Sequence, residues 1–88
     1  MPELSRFYGI VIKMLFSDDS RHSKPHFHVY YNEFSASISI DGELIAGSLP
    51  LKQLKLVIAW ASIHEDELYI AWNKAVRNES FGKIEPLQ

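Results

Sequence analysis

Cysteine is absent from this 88-residue chain. That one absence removes disulfides, thiolate metal sites and a cysteine nucleophile together, and it fits a reducing compartment. Glycine and proline are scarce, four of each, and there is no internal repeat, low-complexity segment or linker. No basic excess exists either. The formal net charge is −2, which argues against a dedicated nucleic-acid binder, because such proteins carry a basic surplus or stripe. A long uninterrupted apolar run is also missing. Glu3 and Arg6 precede the first apolar stretch and Lys13 interrupts it, so neither a signal peptide nor a membrane span is expected. The expectation is a soluble, cytoplasmic protein.

What is present is a folding composition. Hydrophobic residues make up 47%, with two Trp, four Tyr and five Phe, which suits a globule and not a disordered chain. The length fits one domain over residues 1–88. Charge divides unevenly. Residues 1–31 hold four Lys/Arg against three Asp/Glu (+1), and residues 32–88 hold five against eight (−3). The first part also carries three of the four histidines, which leaves room there for a local anion site.

Hydrophobic periodicity predicts an α+β fold: an antiparallel sheet of about four strands followed by one long helix or two consecutive ones. Residues 7–16 alternate as a first strand, with Tyr8, Ile10, Ile12, Met14 and Phe16 on one face and Lys13 on the other. A polar loop, Ser17 to Pro25, comes next. Strands at 26–31, 34–40 and 43–48 follow as a meander through two-residue turns at Asn32-Glu33 and Asp41-Gly42. That register sets Tyr31 against Phe34, Val29 against Ala36, and Phe27 against Ile38, which in turn faces Ile45, so these share the core side. The other face pairs His28 with Ser37, His26 with Ser39 and Tyr30 with Ser35, a polar wall of His, Tyr and Ser.

From Ser48, a plausible N-cap with Pro50 near the first helical position, the period becomes helical over 50–77. Leu54, Val57, Ile58, Ala61, Leu68, Trp72 and Ala75 form one broad face. Leu56, Ile63 and Ile70, spaced by seven, form a second stripe if the helix is continuous. Something must cover it: a partner subunit, the C-terminal residues Phe81, Ile84 and Leu87, or a break near His64 that reorients the second half. A continuous or gently bent helix, and hence oligomerisation, is the expectation. Leu56, Trp60, Ile63 and Ile70 are the candidate interface.

The densest chemistry lies in Pro25-His26-Phe27-His28-Val29-Tyr30. Residues i and i+2 of a strand point the same way, so His26 and His28 stand side by side. Two imidazoles so placed can share a divalent transition metal, with Asp18, Asp19 or His22 as a third ligand. They can equally sit on a solvated wall, bonded to serines or backbone, or recognise an anion or a partner. The candidate recognition surface is His26, His28, Tyr30, Ser37 and Ser39 with Arg21 and Lys24. Ser37 opposite His28 has the elements of a nucleophile–base pair, but no Gly-x-Ser-x-Gly elbow accompanies it. Asp18-Asp19 matches no calcium loop. His64-Glu65-Asp66-Glu67 lacks the second histidine of a metalloprotease helix, because position 68 is Leu.

Arg6-Phe7-x-Gly9, the Pro-His-Phe-His centre, Leu49-Pro50, Trp60-Ala61-x-x-His64-x-x-Glu67-Leu68-x-x-x-Trp72 and Lys83-Ile84-Glu85-Pro86-Leu87 together resemble the small bacterial proteins of domain-of-unknown-function family 4160. Family members often carry Asp-His-x-Pro-Pro before the His-Phe-His. Here the loop is longer, Lys24 replaces the first Pro, and His22 is the nearest counterpart of the loop histidine. The resemblance implies no chemistry. It does imply a partner, because members often lie beside a protein of domain-of-unknown-function family 2442, an arrangement suggestive of toxin–antitoxin-like pairs.

The leading expectation is therefore an interaction module, one half of such a pair, that meets a second copy or a small protein partner. The first alternative is a metal-dependent hydrolase or nuclease using His26 and His28. The second is RNA or phosphate binding through Arg21, Lys24 and the histidines, with affinity that falls steeply with salt. The leading reading needs no cofactor and no membrane.

Overall fold

The computed structural model describes residues 3–14 and 24–87. Asp18, Asp19, Arg21 and His22, the loop residues proposed above as ligands or anion contacts, lie outside the described residues. Five strands form one antiparallel meander in chain order: β1 (Glu3–Phe7), β2 (Ile10–Lys13), β3 (His26–Tyr31), β4 (Phe34–Ser39) and β5 (Leu44–Gly47). Two helices follow, α1 (Leu51–Ile63) and α2 (Glu65–Val76). The α+β class expected from periodicity is the class observed, with five strands in place of about four.

The extra strand is β1, which precedes the stretch expected as one strand at 7–16 and shares only Phe7 with it; of that stretch Ile10–Lys13 forms β2, and residues 15–16 lie outside the described residues. The chain reverses at Tyr8 and Gly9, whose φ angles are 52° and 78°. Paired positive φ at the centre of a two-residue turn matches the right-handed twist of the strands it joins. Ile10, Ile12 and Met14 do alternate inward, fully buried. Tyr8 sits at the exposed turn, and Leu4 and Phe7 reach the core from β1.

The β3–β4 register is the expected one through all six pairs, from His26–Ser39 to Tyr31–Phe34. The β4–β5 register is not. Ile38 faces Leu44, not Ile45, and Ser37 faces Ala46, so Ile45 is the extra residue of a bulge. The physical reason lies in Ser39. Its amide donates to the Glu43 carbonyl at 2.8 Å and its hydroxyl accepts from the Glu43 amide at 2.8 Å. These bonds close a turn longer than the two-residue Asp41-Gly42 loop.

The helical stretch breaks at His64, with φ −108° and ψ 26°, so the continuous helix gives way to two. Glu65, Asp66 and Glu67 then occupy the first turn of α2, where carboxylates complement the positive helix end. The His64 ring donates through Nδ1 to Glu67 Oε1 at 2.6 Å. Ser48 is not the cap. Pro50 holds the N-cap position and its carbonyl accepts from Leu54 at 2.9 Å.

One apolar cluster lies between the sheet and the helices. Trp60 is fully buried in it, with ring centroids 5.8 Å from Phe7 and 5.9 Å from Phe27. The residues expected on the main helix face, from Leu54 to Ala75, are all buried or half-buried. The C-terminal segment completes the cluster. Ile84 is buried and its amide donates to Leu4 O at 2.7 Å, and the Trp60 indole donates to Glu85 O at 2.8 Å. That segment therefore lies along β1, while β5 forms the other edge of the sheet.

Candidate functional site

His26 and His28 alternate with the core residues Phe27 and Val29 along β3, but only His28 is left on an open face; His26 is enclosed by α2. His26 is buried at the start of β3, and its ring lies 5.2 Å from Trp72 of α2 and 5.2 Å from His28 between centroids. Its Nδ1 is 2.8 Å from Lys24 O. A carbonyl can only accept, so Nδ1 carries the proton and, in the neutral ring, Nε2 carries the lone pair. His28 is half-buried between Lys13 of β2 and Ser37 of β4, its cross-strand neighbours. The Ser37 hydroxyl approaches its Nδ1 at 3.4 Å, a long contact. Burial, and secondarily the adjoining His26, hold the His28 pKa below the usual histidine value.

Tyr30 stands two residues further on. The Lys13 ammonium sits over its ring, 5.3 Å from the centroid, within cation–π range. His28, Tyr30, Ser35 and Ser37, with Ala36, Ala46 and Gly47, line a cavity of about 180 Å³. Lys13 joins this group although the composition of the His-Phe-His segment gave no sign of it. Its place on the opposite face from Ile10 and Ile12 was legible. Its position beside His28 depends on the β2–β3 register, which no tight turn announces.

The other sequence-derived candidates fall elsewhere. Lys24 bonds Glu43 at 2.8 Å and Asp41 at 3.1 Å. Those hydrogen bonds raise its pKa, and the Ser39 hydroxyl followed by Lys24 lowers that of Asp41. The Lys24 charge is thus matched twice over, and Ser39 is buried in the turn it closes. Trp60 lies inside the fold, and Leu56 is half-buried against the core. Ile63 and Ile70 remain open, at 66% and 56% exposure. Among the described residues no three His, Asp or Glu side chains gather in a set that could hold a metal; His26 and His28 stand as a pair. No helix among them is long and apolar enough to cross a membrane.

Residues 9–73 match the family model described as domain of unknown function (DUF4160). The chain belongs to that family. The DUF4160 match runs from the β1–β2 turn into α2, so it contains Lys13, both strand histidines, Tyr30 and the serines of β4. It leaves out β1 and the C-terminal segment, which bond to each other through Leu4 and Ile84. No curated protein and no solved structure matches the chain. The DUF4160 description assigns no activity, so the chemistry has to be argued from geometry.

Proposed function

We propose that the protein is a small interaction module that works by strand addition at β5. One observation carries this reading: β5 alone among the described strands has every residue exposed. Leu44 and Ile45 are 40% and 46% accessible there. An edge strand offers a row of unpaired backbone groups, and proteins usually blunt it with charge, proline or a covering segment. β1 has such a cover in the C-terminal residues. Leu44-Ile45-Ala46-Gly47 has neither charge nor proline, only its shortness and the bulge at Ile45.

A second copy is the occupant this edge suits best. Antiparallel pairing about a two-fold axis sets the segment against itself, and no like charges meet. The edge would serve equally the protein pair that the family resemblance implies, since a partner would offer the same chemistry: an extended, uncharged strand. Sedimentation of the wild-type chain over a range of concentrations should show a reversible dimer. Ile45→Lys should weaken it about tenfold or more, equivalent to about 1.4 kcal/mol, while Ile70→Lys leaves it intact. A protein monomeric at its highest soluble concentration overturns the self-pairing. Dimerisation lost only in Ile70→Lys moves the interface to the helices.

The metal-dependent hydrolase reading keeps one supporting observation, the fixed His26 ring. Metal-ligating histidines commonly donate their other ring nitrogen to a carbonyl, as His26 does to Lys24. The metal content of untagged protein, compared with a His26→Ala/His28→Ala variant, separates that reading from the first.

A further inference from the structure

We propose that the polar face binds a small tetrahedral oxyanion, inorganic phosphate or a phosphate monoester, in the cavity between His28, Tyr30, Ser35 and Ser37. This does not rest on the strand-addition reading.

The lining is rich in donors. Three hydroxyls and an imidazole surround the space, and no carboxylate is among the side chains that line it. If the Ser37 hydroxyl donates to Nδ1 of His28, its one proton is spent there and the ring proton sits on Nε2, so the donors left for a ligand are Nε2 and the Tyr30 and Ser35 hydroxyls. Lys13 does not line the cavity itself; it brings a positive charge beside it from β2, opposite His28 in register and over the ring of Tyr30, which does line it. The donors and the charge thus come from three adjacent strands, a spread that suits a tetrahedral group better than a flat one. The cavity of about 180 Å³ equals the space of roughly six waters at about 30 Å³ each, room for one phosphate group with a few waters. On the β5 side the cavity meets only small residues, Ala46 and Gly47, and position 47 admits nothing larger than glycine. Gly47 has φ +79°, and a Cβ there would fall 2.2 Å from Ser35 O.

The same observations favour a single phosphate group over a nucleic-acid backbone. A polyanion is held by several cations, with a correspondingly steep salt dependence. Here the described cations to either side are already matched, Arg6 by Glu3 at 2.8 Å and Lys24 by Asp41 and Glu43. Lys13 makes no ion pair of that kind among the described residues; Glu3, its register partner on β1, feels its charge only at longer range and is bonded to Arg6.

The test is an NMR titration of the full chain at fixed pH and constant ionic strength, following the aromatic signals. Inorganic phosphate should shift His28 and Tyr30 saturably, and sodium chloride should not. Lys13→Gln should weaken binding about tenfold. Tyr30→Phe, which keeps the ring and removes one hydroxyl, should weaken it several-fold, with otherwise unchanged spectra showing that both variants fold. Shifts that grow linearly and equally with chloride overturn the site. So does a saturable response centred away from His28 and Tyr30. Tighter, steeply salt-dependent binding of a short RNA lacking a terminal phosphate also overturns it, and would assign the face to nucleic-acid backbone.

Discussion

His28 shows at the scale of one residue how this sheet treats a titratable group. Its ring is half-buried and lies beside His26, so a positive charge there is poorly solvated and poorly placed. The folded-state pKa therefore lies below the ordinary value of 6.5. The sign follows from linkage. About a unit or more above 6.5 the ring is essentially neutral in both states and contributes almost nothing to pH dependence. As the pH falls through 6.5 the unfolded chain takes up the proton first, so stability declines until the pH has passed the folded pKa. Urea unfolding at pH 7.5, 6.5 and 5.5 should show wild type losing more stability on acidification than His28→Gln, because comparison at one pH cancels every group the two proteins share. Glu3 and Asp41 also have lowered pKa values, but their ordinary values are 4.5 and 3.8, so their losses begin at lower pH. An equal slope for the two proteins would mean that His28 is solvated as freely as in the unfolded chain.

At the scale of elements, β5 is the least anchored strand. It contributes no buried side chain and is held by its ladder to β4 and by the turn at Ser39. Gly47 is the tightest point of that ladder, since any Cβ meets the β4 backbone and a left-handed φ at once. Gly47→Ala should cost about 1–3 kcal/mol of local stability, read as faster amide exchange in residues 44–48 with β1 to β3 unchanged. Uniform loss across the sheet would instead make β5 part of one cooperative unit. The elements also show which signals in the sequence were legible. The β3–β4 register was, because period-two alternation on both sides of Asn32-Glu33 allows only one pairing that keeps Phe27, Val29, Ala36 and Ile38 together. The side-by-side histidines follow from the same alternation. The Tyr8-Gly9 reversal was hidden, since Tyr8 continues the apolar alternation of Ile10 and Ile12. The break at His64 was hidden too, because Leu56, Ile63 and Ile70 mimic one continuous stripe. Trp60 and Leu56 then looked like an interface, although a tertiary bond from the indole to Glu85 places Trp60 inside. The double pairing of Lys24 depends on a bulged turn that no local pattern encodes.

Across the whole molecule, the two edges of the sheet are treated in opposite ways, and on the proposed strand-addition reading this asymmetry limits assembly. β1 is lined by the C-terminal segment through Ile84 and Leu4, and the same segment supplies the acceptor for the buried indole and places Phe81 and Leu87 against the core. With β1 bonded to that segment at Leu4 and β5 at the free edge, the edge pairing proposed above should end at two copies. A chain stopped after Ser80 tests this arrangement. It loses the buried Ile84 side chain, worth about 1.5–3 kcal/mol, and leaves the Trp60 N–H without its acceptor, which costs about 1–3 kcal/mol more where it stays buried. Thermal unfolding should therefore fall by at least about 10 °C. The truncated chain also has two open edges, and head-to-tail pairing through unlike edges has no reason to close. Under conditions where the truncated chain remains folded, sedimentation should show species larger than a dimer that grow with concentration. Adding Ile45→Lys should return it to small species by blocking one of the two edges. A truncated chain as stable and as small as the full one would show that the C-terminal residues neither seal β1 nor support the core, and that the difference between the two edges does not limit assembly.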